Sequence, residues 1–381
     1  IIGRIHMNII TMMAIAVTAL YLANPIICFA DIDAKEIYNY KATDIQAFEI
    51  DDYANTDFND VIYMDKIISS ESSNLIEKLN SNNIAIASAW TLDSMSDDNR
   101  NVLKGKVESG IPLIVSGDSG VLQDIGISVI TNPNASYSAI YCDPTSNVIY
   151  CYGIESSDYD AERTTIAWVN SVKTSTALDS DTNYGDAIFY QETKICDGDR
   201  ARINATALYS KLGTSNGFTY YSIQYNAEAV AKDNDWSIAD MTVSCDVDAK
   251  NAFQHLIDYG PDSTGSEKTT SVSVNMSAGI TGITFGTSIG WSYTVPSTII
   301  HNQCDTSEDY FSIWHDIDED SADSTVRVKP GMIVSTNSSI YSATDVYEVR
   351  FEGPYYDHLW PWDPTTELKT FTMECNALLN V

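Results

Sequence analysis

The chain has 381 residues, 53 of them acidic against 21 basic, and a formal net charge of −32. A field of that sign repels phosphate instead of gathering it, which excludes nucleic acid and makes anionic lipid surfaces poor partners. The length exceeds what one hydrophobic core ordinarily serves, so two domains are expected.

At the N-terminus Arg4 and His6 precede an uncharged stretch from Met7 that ends Cys28-Phe29-Ala30 before Asp31. Basic, then apolar, then small residues predict a signal peptide over 1–30 and a secreted or cell-surface protein. The same stretch is long enough to span a bilayer, so an uncleaved N-terminal anchor is the alternative. Removal of Cys28 leaves Cys142, Cys151, Cys196, Cys245, Cys304 and Cys375. An even set without any C-x-x-C predicts disulfides in an oxidising compartment and no zinc ribbon. Cys142 and Cys151 flank a turn-rich segment, and a turn centred on Ser146-Asn147 would place them opposite each other as one bridge. The pairing of the other four stays open. N-x-S/T sequons at Asn134, Asn204, Asn275 and Asn337 permit a glycoprotein.

From 31 to 173, short apolar runs alternate with helical periodicity. Runs at 61–64, 84–87, 111–115 and 127–130 read as strands, while 74–79, 94–107 and 161–172 read as helices, with a hairpin around Cys142 and Cys151. That alternation predicts an α/β domain of the flavodoxin-like class with a mostly parallel sheet. Residues 174–185 are polar and suit a linker. From 186 to 381 the alternation is of period two, with 251–257 as the one helical candidate, so an all-β antiparallel sandwich domain is expected.

Candidate sites are few. Ser116, Gly117, Asp118 and Ser119 follow the run 111–115, and in an open α/β sheet ligands bind at strand C-terminal ends. Gly117-Asp118-Ser119-Gly120 resembles the serine motif of trypsin-like proteases, in a strand-turn-helix setting similar to a hydrolase elbow. No histidine lies between Met7 and Asn251, however, so a hydrolase would need an interdomain site with a histidine from the β domain. Asp60 and Asp65 are further strand-end acids. Asp316, Asp318, Asp320 and Asp323 space carboxylates as calcium requires of its oxygen ligands, but Ser321 stands where an EF-hand has its turn glycine. Tyr356, Trp360 and Trp362 form an aromatic run beside Asp357 and Asp363 that would suit a glycan.

The clearest β pattern spans 269–295. Val272, Val274, Met276 and Ala278 alternate with Ser and Asn, and after Gly279 and Gly282 the apolar set changes parity to Ile283, Phe285, Ile289, Trp291, Tyr293 and Val295. This reads as a hairpin with one continuous apolar face and arms long enough to cross a bilayer as tilted strands. In that pattern it resembles the insertion hairpins of aerolysin-like pore-forming toxins. The run 110–115, the run 290–296 and Lys329-Pro330-Gly331 together resemble uncharacterised secreted archaeal proteins that join an α/β domain to a Ser/Thr-rich β-sandwich, a likeness that implies no activity. The sequence reading is therefore a secreted or cell-surface, non-enzymatic binding or structural protein whose partner is an extracellular protein or glycan. Its alternatives are a secreted hydrolase and a pore-forming protein that meets the membrane through the 269–295 hairpin.

Overall fold

The computed structural model describes residues 48, 60–66, 76–156, 160–175, 187–264, 269–276, 279–280, 283–284, 289–318, 324–355 and 365–380. The stretch 1–30 and linker positions 176–186 lie outside them. The first half holds β1 (Val61–Tyr63), β2 (Ile84–Ser88), α1 (Ala89–Asp93), α2 (Asp97–Glu108), β3 (Leu113–Ser116), α3 (Val121–Asp124) and β4 (Val129–Thr131). The hairpin β5 (Tyr137–Cys142) and β6 (Ile149–Glu155) and the helix α4 (Ala161–Thr174) complete it. Local signals explain these elements. Ser96 caps α2 by accepting from Asn99 N at 3.4 Å, Asp97 and Asp98 favour its positive N-terminal end, and Leu103 and Val107 form its buried stripe.

The second half contributes β7 (Ile188–Cys196), β8 (Ala201–Ser215), β9 (Phe218–Ala231), β10 (Ser237–Asp246) and β11 (Gln254–Gly260). After these come β12 (Thr269–Met276), β13 (Gly279–Ile280), β14 (Ile283–Thr284), β15 (Ile289–Asn302) and β16 (Tyr310–Ile317). The last four are β17 (Thr325–Val328), β18 (Gly331–Thr336), β19 (Ile340–Tyr355) and β20 (Thr365–Asn380).

The expected flavodoxin-like α/β domain does not form. Among the described first-half strands β1, β2 and β3 run parallel to one another, β3, β5 and β6 pair antiparallel, and the sheet then continues into the second half. The step that carries it across is β6 to β7, a parallel pair from Ile149↔Ile188 to Glu155↔Lys194. A parallel pair needs a crossover, and α4 is that crossover instead of the closing helix of a separate unit. One 11-stranded sheet results, ordered β1-β2-β3-β5-β6-β7-β8-β9-β18-β11 with β17 also on β9. The other sheet is β12-β15-β16-β10-β19-β20-β4. Here β4 has left the first-half strands altogether, pairing Val129 with Leu378 of β20.

The two sheets face each other as a sandwich. Tyr221, Ile223, Tyr225, Ala227 and Ala229 form the buried face of β9, as their alternation predicts. Tyr225 stacks on Phe311 at 5.8 Å and meets Tyr347 edge-on at 6.0 Å, both from the opposite sheet. On the outer side of the large sheet, α4 lays Trp168 against Tyr152 at 4.9 Å. The helix expected over 251–257 is instead a turn leading into β11. Pairing with β18 overrides the local periodicity, and the alternation of buried Leu256 with outward His255 is the surviving trace of a strand.

The predicted disulfides are absent: all six described cysteines are thiols. In the β5/β6 hairpin Cys142 pairs with Ile149 and Cys151 with Ile140. Asp143 N donates to Val148 O, so the turn is centred one residue earlier than Ser146-Asn147, with Asn147 in the left-handed region at φ 58°. A one-residue shift of the turn moves every cross-strand partner by two, and diagonal neighbours stand roughly 7–8 Å apart, beyond disulfide reach. Cys245 and Cys375 flank Asp345 on its two sides, each opposite it in register, which sets them two strand spacings or roughly 9–10 Å apart. Asp345 is fully buried between the sheets, where its Oδ1 accepts from the Tyr225 hydroxyl at 2.6 Å. Glu192, also fully buried, accepts from the Tyr190 hydroxyl at 2.9 Å. Burial raises Asp345 well above the usual carboxylate range and Glu192 to about 8, with the Asp345 charge adding to the latter and the Tyr190 bond opposing it.

Candidate functional site

The Ser116–Gly120 turn is built as structure. Gly117 takes φ +90°, Gly120 N donates to Asp118 Oδ1 at 2.9 Å, and Ser119 is 1 % exposed with its hydroxyl given to Asn132 O at 3.2 Å. No histidine partners Ser119 among the described residues. His255 accompanies Asp309 at 3.0 Å, His301 stacks on Trp314 at 4.4 Å, and His315 meets Tyr293. Asp65 is occupied too, since its Oδ1 accepts from Ser88 N at 2.8 Å and from the Ser88 and Thr91 hydroxyls, which ties β1 to the start of α1.

Asp316 lies on the outer face of the smaller sheet beside His301, 3.6 Å away, and opposite Asp240, which is paired with Arg350. Among the described residues no group of three ligating side chains comes together as a metal site. Asp320 and Asp323 lie outside the described residues, as do Tyr356, Trp360 and Trp362. Of the sequons, Asn134 and Asn337 are exposed, whereas Asn204 accepts from Thr193 Oγ1 at 3.2 Å within the sheet.

The 269–295 pattern is a hairpin, as the alternation predicts. β12 pairs antiparallel with the first part of β15, with Val272 opposite Tyr293 and Val274 opposite Trp291. Farther out, β13 and β14 pair Ile280 with Ile283. One face is sunk into the protein: Val272, Val274, Trp291, Tyr293 and Val295 are all buried. The other face, Ser271, Ser273, Gly290, Ser292 and Thr294, is open to solvent. β12 is the edge strand of its sheet, so no neighbouring strand holds its outer side among the described residues.

The buried face rests on a fitted seat. A Cβ at Gly260 would stand 2.7 Å from Val274 Cγ1, and one at Gly331 would stand 2.5 Å from the Trp291 ring, so each glycine leaves room for one hairpin side chain. Trp291 Nε1 donates to Lys329 O at 2.7 Å, and the Tyr293 hydroxyl lies 2.8 Å from His315 Nε2. A further signal stands in the sequence beyond the alternation. Between Lys268 and Asp305 there is no Asp, Glu, Lys or Arg, in a chain that carries 74 such residues, 53 acidic and 21 basic. The span covers the hairpin and the whole of β15.

No family model matches the chain, and no curated protein sequence does. Solved structures do. One titled "Pore forming protein" is similar at 10% identity and a TM-score of 0.34, covering 51% of this chain and 92% of its own. Clostridium perfringens delta-toxin is similar at 8% identity and a TM-score of 0.31, covering 50% and 89%. The membrane-inserted form of Clostridium perfringens NetB toxin is similar at 10% identity and 0.28, covering 51% and 96%.

Proposed function

We propose that the chain is a secreted pore-forming protein whose insertion element is the β12/β15 hairpin. The observation that carries this reading is a charge-free hairpin with one apolar face and one face of small or polar residues, docked by its apolar face at the edge of a sheet. In a transmembrane barrel, strands alternate apolar residues toward lipid with polar residues toward the lumen, and every backbone group is paired by closure. Once off its seat, this hairpin meets both demands: Val272, Val274, Trp291 and Tyr293 face lipid, and Ser271, Ser273, Ser292 and Thr294 face water. The arms 271–280 and 283–292 have ten residues each, which matches the roughly 9–11 that a tilted strand needs to cross a bilayer. An Arg or Lys on the lipid face would cost about 2–4 kcal/mol at mid-membrane and an Asp or Glu less, and the span has none of them.

Two strands do not close a barrel. The smallest membrane barrels have about eight strands, so at least about four copies would assemble. Leakage of an entrapped dye from phosphatidylcholine vesicles, and stepwise conductance in a planar bilayer of the same lipid, test the reading. Ser273→Lys, on the exposed face, is expected to keep both and to shift conductance toward anions. A chain that neither leaks vesicles nor conducts at micromolar concentration would sink the proposal.

A further inference from the structure

A buried histidine in the seat of the hairpin meets a hydroxyl of the hairpin itself. We propose that His315 is an acid-sensitive latch, holding the hairpin docked while its ring is neutral and releasing it when the ring is protonated. The inference rests on the pore-forming reading and names the regulation of its moving part.

His315 projects inward from β16 and is fully buried. Its Nε2 is 2.8 Å from the Tyr293 hydroxyl, and Tyr293 belongs to the hairpin. A neutral ring with the proton on Nδ1 accepts from that hydroxyl, and the assignment follows from the hydroxyl being the available donor. Nδ1 faces the Met241 main chain, which suits the proton placed on that nitrogen. The groups facing the ring from other elements offer an imidazolium little. Met241 of β10 and Ile300 of β15 lie opposite His315 in register and are apolar. Asp240 and Asp316, their sequence neighbours, point to the opposite face of the sheet. Protonation turns Nε2 from acceptor into donor, so the bond to Tyr293 must reverse while a charge sits buried without a carboxylate.

Burial accordingly lowers the His315 pKa from 6.5 to about 3, with the Met241 main chain pulling the other way. In the released state the ring meets water and regains its ordinary value. A depressed histidine stabilises the docked state fully above the released-state pKa, and that contribution is lost as pH falls from 6.5 toward 3. Between about pH 7.5 and about pH 5.0 the two values imply that release becomes about 30-fold more favourable.

Hydrogen exchange of amides in 271–276 and 289–295, measured on the full chain without lipid and corrected for intrinsic rates, reads docking directly. Protection is expected to fall about 30-fold from about pH 7.5 to about pH 5.0 in the native chain and to be independent of pH in His315→Gln. An unchanged native chain, or an equal fall in His315→Gln, overturns the latch. If His315→Gln does not fold, Tyr293→Phe serves. It loses the bond but keeps the titrating ring, so protection should be lower at both pH values with the same ratio between them, and a ratio near one overturns the proposal. Leakage from phosphatidylcholine vesicles separates the two readings. Equal leakage at both pH values overturns the latch and keeps the pore, whereas acid-dependent exchange without leakage keeps the latch and overturns the pore.

Discussion

Val274 and Gly260 fit so closely that a methyl group on Gly260 would overlap the valine, its carbon only 2.7 Å from Val274 Cγ1. The valine belongs to the charge-free hairpin and the glycine ends β11, so the contact joins the hairpin to its seat. Gly260→Ala is expected to cost about 1–3 kcal/mol, the usual range for overfilling a packed site. Val274→Ala alone should cost a similar amount through the cavity it leaves. The double variant should lose clearly less than the sum, because trimming the valine makes room for the methyl added at the glycine. Urea midpoints of the native chain, the two single variants and the double variant measure this, and simple additivity would mean that the two residues do not share the contact.

Stability should decline as pH rises through neutrality, opposite to the usual behaviour of carboxylates. Glu192 has a folded pKa of about 8 against 4.5 in the open chain, raised first by burial. A raised acid contributes its full stability below the open-chain value and loses it progressively up to the folded value, here from pH 4.5 to 8. The loss is on the order of 3–5 kcal/mol by about pH 8. Asp345, raised by the same cause, acts in the same direction. Glu192→Gln keeps the shape and cannot ionise, so its unfolding free energy should vary less between about pH 5 and about pH 8 than that of the native chain. An identical slope in the variant would count against the buried, neutral carboxyl.

Alkylation of the denatured, unreduced chain should modify Cys142, Cys151, Cys196, Cys245, Cys304 and Cys375, each of which peptide mapping can identify. In the folded state the same reagent at about pH 8 should react slowly, because burial pushes Cys142, Cys151 and Cys245 up to about 12 and leaves almost no thiolate. Recovery of any two of these positions as an unmodified pair that reduction releases would show a disulfide and contradict the register of the strands.

Much of the local structure is legible in the sequence, and the pairing of strands is not. The runs at 61–64, 84–87 and 111–115, the helix read at 94–107 and the β9 alternation all follow from periodicity, which acts over a few residues. Which strand lies beside which depends on partners far away along the chain. α4 reads as the end of a domain because its apolar stripe is the same whether a helix closes one sheet or crosses to the next strand. Ser119 reads as a candidate ligand contact because a glycine-flanked serine turn exposes its hydroxyl in some settings, and only the Asn132 carbonyl shows that here it faces inward. The hairpin is the most legible part, since alternation, a parity change and two glycines all lie within 269–295. Its seat is invisible: Gly260, Gly331 and His315 come from three different strands, and nothing in their spacing announces a common contact.

The pairing of β4 with β20 bears on biosynthesis. Residues 129–131 find their neighbours only at 376–378, some 245 positions later. A ribosome adds roughly 5–20 residues per second, so this strand waits roughly 12–50 seconds for its partner to emerge. Throughout that interval the early strands cannot complete the smaller sheet, and long-range strand pairing is intrinsically slow even after release. The nascent chain is thus kept from closing until translation has passed residue 378, which makes its early segments natural clients for holdase chaperones.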